Sequence, residues 1–557
     1  MPAQQAFQSI GNGIVFANWP IMWIVVNAMF VYNIAVRSGA FDIFRRWIVT
    51  NTPPDQRVLL LVIGFAFGAL LEGVAGFGTP GAICSALMAS LGFDKVDALT
   101  YTLIFDTTPV AFGALGIPVT TLANLTGLPV MSLSAMMGRQ LPFVSVFLPL
   151  YAITFFAGFR AGLLECWPAA VVAGVSFAAI QAIFANWVGP ELPDLIAGLV
   201  AMIALVVFLQ YWKPPYRAEY ACTYTPTRPA NDEESKAADK NQEQKQVEDV
   251  RDGAKGDKTE VTYDDHPHDD AVAGNSGGDS TNSNKGVDGV SPSPITELAK
   301  PTLLESIVAW SPWVSIIVVV IIWSFVKVPS YGAIHVLWPQ LHERVWLTLY
   351  GERYAAAWDF QPLATGTAIL VANVPFTCIV LLYGAKPKVI PMALWDTVKQ
   401  LWLPILTVSF IMALAYLYNY SGMVYTIGLT LSSVGNAFPF LSAWLGWLAC
   451  FLSGSDTSAN SLFGNLQVVA ARQIGLSAVL MASTNSSGAV TSKMISPQNL
   501  TTGVSTLGMQ GKEGYIFRRT VLHSIFMCAI MGAIACIQQF GTPGIIPPGD
   551  EVLPPVA

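Results

Sequence analysis

Four ionisable residues, Glu72, Asp106, Asp456 and Lys493, stand in or beside polar interruptions of otherwise apolar sequence. An ionisable group inside a membrane span costs at least about 2.5 kcal/mol, so its presence there points to a function. A carboxyl that gains and loses a proton in such a setting is the simplest proton carrier. Proton or cation coupling is therefore one reading of Glu72, Asp106 and Asp456. The other is capping of a half-helix, most readily for Asp456, which precedes Thr457 and Ser458. Lys493 suits either a substrate carboxylate or a cytoplasmic membrane flank.

The interruptions themselves come in four stretches. Two lie late in the chain, Ser453 to Asn460 and Ser483 to Gly488, and two early, Leu71 to Pro80 and Phe105 to Gly113. Gly and Pro at such points stop one helix and let another start. The new N-terminus presents free N–H groups and roughly half a positive charge, which holds an anion without an arginine. Gly76, Gly78, Thr108, Ser455, Thr457, Ser458, Asn485, Ser486 and Ser487 are accordingly the candidate binding residues, with Lys493 assisting. For single glycines such as Gly76, Gly78 and Gly113, close helix packing is the competing explanation.

The elements that must position these residues are membrane-spanning helices. The 557-residue chain is 53% hydrophobic and only 12% charged, with 16 Trp and 30 Phe, which marks a polytopic membrane protein. Apolar runs of the roughly 20 residues a span requires lie at 19–36, 58–71, 99–120, 141–158, 167–188, 195–212, 310–328, 363–384, 401–420, 440–452, 478–490 and 520–540. The expected fold is all-α, with about 10–12 spanning segments and broken or re-entrant helices at mid-membrane.

A first bundle over 1–212 and a second over 301–557 flank a polar stretch, 213–300. That stretch holds 11 of the 29 Lys/Arg and 18 of the 36 Asp/Glu, so the rest of the chain is charge-balanced and the net charge of −7 says nothing about substrate. Its poverty in apolar residues predicts a disordered acidic linker. Arg37, Arg45, Arg46 and Arg57 after the first span, and Lys386, Lys388 and Lys399 before the span at Leu401, place both loops and the linker in the cytoplasm.

An internal repeat is visible. Gly39, Gly73 and Asp106 correspond to Gly422, Gly454 and Asn485 at offsets of 383, 381 and 379. The first unit opens on an out-to-in span and the second, within about 400–540, on an in-to-out span, so the units are expected to be inverted copies.

Other chemistry finds no support. The seven cysteines show no CxxC spacing, no phosphate-binding GxxxxGK[ST] loop is present, and no nucleophile and base stand together. Neither enzyme activity, a metal, a cofactor nor a nucleic-acid partner is expected.

At these residues the chain resembles the L-lactate permease family. The resemblance is carried by Phe67-Gly68-Ala69 through Gly76-Phe77-Gly78, by Pro109 to Ala114, Gly138 to Phe143, Val188 to Asp194, Gly454 to Ser458 and Lys493 to Gln498. It covers most of 14–212 and 300–540. It implies a plasma-membrane carrier that imports L-lactate, glycolate or a related 2-hydroxy monocarboxylate by proton symport. The family pattern has about two further spans ahead of the Trp19 helix, a shorter and less acidic linker, and tends to have Asn where this chain has Asp106. A sodium-coupled dicarboxylate carrier is the rival within transport, and a transporter-like sensor signalling through 213–300 the rival outside it.

Overall fold

The computed structural model describes residues 1–76, 79–224, 293–294, 299–347, 352–353 and 356–549. Nine helices among them are long and apolar enough to cross a membrane. A tenth is obtained by joining Lys95–Phe105 with Val110–Thr126, which meet at a bend of 67°. Large apolar side chains such as Phe143, Phe147, Phe410 and Leu522 are exposed, as the hydrocarbon surroundings of a span require.

The two halves do not form separate bundles. Met1–Tyr224 and Pro294–Ala557 make one compact unit, and its spine is an antiparallel pair. The first helical stretch, Ala3–Arg37, lies along the helix Val389–Ser421. Asn12 Nδ2 donates to the Tyr420 hydroxyl (3.4 Å), Asn18 to Ser409 (3.0 Å), and Asn33 to Thr397 (2.9 Å) and Gln400 (3.0 Å). Arg37 closes the ladder on both oxygens of Asp396. First-half positions rise as second-half positions fall, so the two units run in opposite senses. The basic ends Arg37 and Lys388 therefore share one side.

The first span begins earlier than hydropathy indicates. Gln4, Gln5, Gln8 and Asn12 dilute the apolar pattern of Ala3–Phe16. The helix is nevertheless packed, with Gly13 so close to Met412 that a Cβ would stand 2.5 Å from the Met412 carbonyl oxygen. Non-helical backbone at Trp19 (φ −136°, ψ 113°) separates it from Trp23–Arg37, at the residue preceding Pro20, where a helical conformation is disfavoured.

Paired left-handed glycines mark the repeat. Gly39 (φ 81°) and Gly422 (φ 82°) turn the chain after the paired helices, Gly76 (φ 60°), rather than the expected Gly73, which lies inside the helix Gly68–Ala75, matches Gly454 (φ 73°) in ending the next long helix, and Gly92 (φ 90°) and Gly475 (φ 69°) form hairpin tips. After each tip a side chain caps the returning helix: Asp94 accepts from Val96 and Asp97, and Ser477 from Leu480.

The expected span at 478–490 is a different object. Ala478–Ala489 has 12 residues, about 18 Å of helix against a hydrocarbon core of about 30 Å. It is buried throughout and packs against Asp456–Gln473 and Phe438–Ser453. It is one arm of a hairpin enclosed by protein.

The polar stretch is fastened at its start. Arg57, fully buried, donates to Asp55 (2.7 Å), Glu165 (2.8 Å) and the Pro215 carbonyl (2.7 Å). The amides of Cys222 and Thr223 donate to the carbonyls of Pro54 and Leu91. Packing thus continues to Tyr224, past the composition change at 213, and the linker expected over 213–300 otherwise lies outside the described residues, apart from 293–294 and 299–300.

The enclosed hairpin yields a prediction. A Cβ on Gly446 would stand 1.9 Å from the Asn485 carbonyl oxygen, whereas one on Gly475 meets nothing within 4 Å. Gly446→Ala should therefore lower the unfolding temperature in detergent far more than Gly475→Ala, whose cost is only the left-handed backbone, about 1 kcal/mol.

Candidate functional site

Three helix interruptions converge on one ammonium group. Glu72 sits at the end of the fully buried span Gln56–Val74, Asp106 caps the C-terminus of Lys95–Phe105, and Lys493 lies on the tight turn Val490–Ile495. Lys493 Nζ donates to Glu72 Oε1 at 2.6 Å and lies 3.1 Å from Asp106 Oδ2, the latter an ion pair rather than a well-aligned hydrogen bond. All three residues are at most 4% exposed. The flanking-lysine reading of Lys493 is thereby set aside: the side chain points into protein and pairs with two carboxyls there.

Backbone chemistry makes this meeting possible. A Cβ on Gly113 would stand 2.7 Å from Glu72 Oε1, so only glycine leaves room for the carboxylate. Just beyond it Ala114, Leu115 and Gly116 are all left-handed (φ 45°, 56° and 74°), a run that costs about 1–3 kcal/mol at each non-glycine position and persists only where surroundings enforce it. Gly116 lies against Pro190, whose carbonyl oxygen would be 2.4 Å from a Cβ. Helix resumes from Ile117 to Thr126, with Pro118 in the opening turn that proline favours.

A narrow polar cavity of about 20 Å³, room for about one water molecule, lies between the two repeats. Glu72, Gly76, Gly113, Ala114 and Pro118 line one wall; Gly454, Ser455, Asp456, Thr457 and Lys493 line the other. Two half-helices thus begin at its edge, Ile117–Thr126 and Asp456–Gln473. The second is capped by the Ser455 hydroxyl, which accepts from the Ser458 amide at 3.4 Å. Asp456 is 2% exposed; its Oδ2 accepts from the Ser486 hydroxyl at 2.5 Å and its Oδ1 has no hydrogen-bond partner among the described residues.

The structure therefore brings together Glu72, Asp106, Lys493, Gly76, Ser455, Asp456 and Thr457, with Ser458 and Ser486 directly behind them. It places the remaining candidates elsewhere. Asn485 is held in an amide network, accepting from Gln467 (2.6 Å) and donating to Asn460 (2.9 Å), which in turn donates to the Pro118 carbonyl (3.2 Å). Ser487 donates to Gln140 (2.7 Å). Thr108 is buried, its hydroxyl without a hydrogen-bond partner among the described residues and its carbonyl accepting from Gln181 (3.2 Å), off the cavity lining. Gly78 lies outside the described residues.

Residues that sequence reading passed over include Gln140, Gln181, Asn460 and Gln467, all buried, and Asp194, whose Oδ1 accepts from Gln181 at 2.8 Å. Gln181 and Gln467 are polar residues inside apolar runs, a signal of the same kind as Glu72 but outside the glycine breaks, while Asn460 ends the Ser453–Asn460 interruption and Gln140 stands two residues after Gly138.

Interrupted helices meeting at a buried polar cavity between inverted repeats are the architecture of a secondary transporter. The family profile described as L-lactate permease matches residues 1–250 and 293–540, and the chain belongs to that family. It is 38% identical to the L-lactate permease of Bacillus subtilis (strain 168) over 98% of this chain and 90% of that protein. It is 37% identical to the glycolate permease GlcA of Escherichia coli (strain K12) over 98% and 89% respectively. Among solved structures, the YdaH transporter of Alcanivorax borkumensis aligns at a TM-score of 0.44 and 12% identity, covering 97% of this chain and 89% of that one. The multi-pass helices and the family together define a plasma-membrane transport protein.

Removing one member of the ion cluster should be worse than removing all. Lys493→Met leaves two buried carboxylates facing each other and should destabilise the detergent-solubilised protein by about 3–5 kcal/mol. Adding Glu72→Gln and Asp106→Asn to it should restore most of that loss. Thermal unfolding of the single and triple variants checks both.

Proposed function

We propose that this protein imports L-lactate or a related 2-hydroxy monocarboxylate, such as glycolate, across the plasma membrane together with a proton. The observation that carries the proposal is the cluster of Glu72, Asp106 and Lys493, of which Glu72 and Lys493 line the inter-repeat cavity. The chemistry favours it for three reasons. One lysine balances only one of the carboxylates Glu72 and Asp106, and a second buried negative charge without its own counter-charge costs several kcal/mol. A proton taken up by the pair removes that cost. With the proton bound, a single carboxylate balances the lysine and the cluster is neutral, so the two half-helix N-termini give the cavity the positive potential a small anion needs.

Proton and substrate thereby depend on each other. Without the proton, the cavity wall is negative and repels a carboxylate; with it, the same wall attracts one. Glu72 and Asp106 hold the coupling proton, Lys493 links them electrostatically to the substrate, and Ser455, Thr457 and the glycine turns at Gly76 and Gly454 shape the pocket. The names of the similar proteins, L-lactate permease and glycolate permease, support a substrate that is a small 2-hydroxy acid.

Purified protein in vesicles, given labelled L-lactate with pH and sodium gradients imposed one at a time, tests the proposal. Uphill uptake driven by the pH gradient alone is expected. Glu72→Gln and Asp106→Asn should each lower it at least tenfold. Uptake driven by sodium and indifferent to pH would replace the proposal with a sodium-coupled carrier.

A further inference from the structure

Among the described residues, Asp456 is the one cavity-lining carboxyl that takes no part in the lysine cluster. Its position in the first turn of Asp456–Gln473 is favourable for a carboxylate, since the helix N-terminus stabilises negative charge there. The Ser486 hydroxyl fixes Oδ2 at 2.5 Å, which fixes the rotation of the whole group. Oδ1 is left as a buried acceptor with nothing to accept from among the described residues, on a residue that lines the cavity. A buried acceptor without a donor costs about 1–3 kcal/mol, so a ligand that supplies the donor recovers it.

A 2-hydroxy monocarboxylate has one donor of that kind, the hydroxyl on the carbon next to its carboxylate. The cavity offers positive groups for the carboxylate, at Lys493 and the Pro118 half-helix, and Asp456 lines the same cavity. We propose that Asp456 is the specificity-determining residue of the site: it accepts a hydrogen bond from the substrate's 2-hydroxyl and so selects 2-hydroxy acids over carboxylates of equal size that lack the group. This rests on the transport reading above and adds to it which atom distinguishes the substrates.

The selection has a direction. Propionate has the same carbon skeleton as lactate without the hydroxyl, and pyruvate replaces the donor by a carbonyl that can only accept. Either would leave Asp456 Oδ1 unpaired, and pyruvate would set two acceptors against each other. Sites built to hydrogen-bond a substrate hydroxyl reject the analogue without it far more strongly than apolar pockets reject a lost methylene.

Competition in vesicles tests the assignment. Uptake of labelled L-lactate is measured against unlabelled propionate and pyruvate, for the wild type, Asp456→Ala, Asp456→Asn and Ser486→Ala. The wild type is expected to favour lactate, and Asp456→Ala to reduce the lactate-to-propionate preference about tenfold or more. Asp456→Asn, which keeps one side-chain oxygen, should fall between. Ser486→Ala frees the carboxyl to rotate and should reduce the preference without removing the acceptor, so it decides the matter should Asp456→Ala not fold. A wild type that takes up lactate, with a preference unchanged in all three variants, overturns the assignment. A wild type that takes up no lactate overturns the transport reading instead.

Discussion

The arrangement depends on a single constraint: one ammonium, inaccessible to water, must stand between two carboxylates supplied by other parts of the chain. Lys493 can reach Glu72 and Asp106 only because three helices stop where they do. Gly113 must lack a side chain for Glu72 to fit, and the left-handed run Ala114 to Gly116 carries the chain past it. Breaking continuous hydrogen bonding inside a membrane is costly unless the freed groups find partners or line a cavity. Here they do both.

The inverted repeat explains how such interruptions are held in place. The first half supplies the two carboxyls and the second supplies the ammonium and the Asp456 wall. Neither half holds a balanced set of charges, so the site exists only where the repeats interlock. The ladder from Asn12–Tyr420 to Arg37–Asp396 fixes the two units against each other, and the amide chain from Pro118 through Asn460, Asn485 and Gln467 stitches the second hairpin to the first-half break. Asn485 acts as part of this frame. That is consistent with its burial and with both its amide oxygen and its amide nitrogen being hydrogen-bonded within the frame.

Much of this was legible in the sequence because membrane burial makes polarity conspicuous. Glu72, Asp106 and Asp456 stand out from apolar runs, and glycine pairs such as Gly39 and Gly422 announce the repeat. What could not be read was which polar residues share a cavity. Ser486 and Ser487 are adjacent in sequence yet point to Asp456 and Gln140, because successive helical positions face about 100° apart. Hydropathy likewise misjudged two short helices: Ala478–Ala489 opens on an apolar turn but is too short to span, and Ala3–Phe16 is polar in places but packed against Met412. Length and neighbours decided these cases, and neither is written in local composition.

Proton movement driven by lactate itself tests the central claim most directly. Vesicles containing the protein and a pH-sensitive dye, with no initial pH difference and the membrane potential clamped to zero, are given an inward lactate gradient. If the coupling proton resides in the Glu72–Asp106–Lys493 cluster, the lumen acidifies with the wild type, and with Glu72→Gln it does not, while lactate exchange between the two sides persists. Acidification by the Glu72→Gln variant in the same proportion to lactate flux as in the wild type would contradict it.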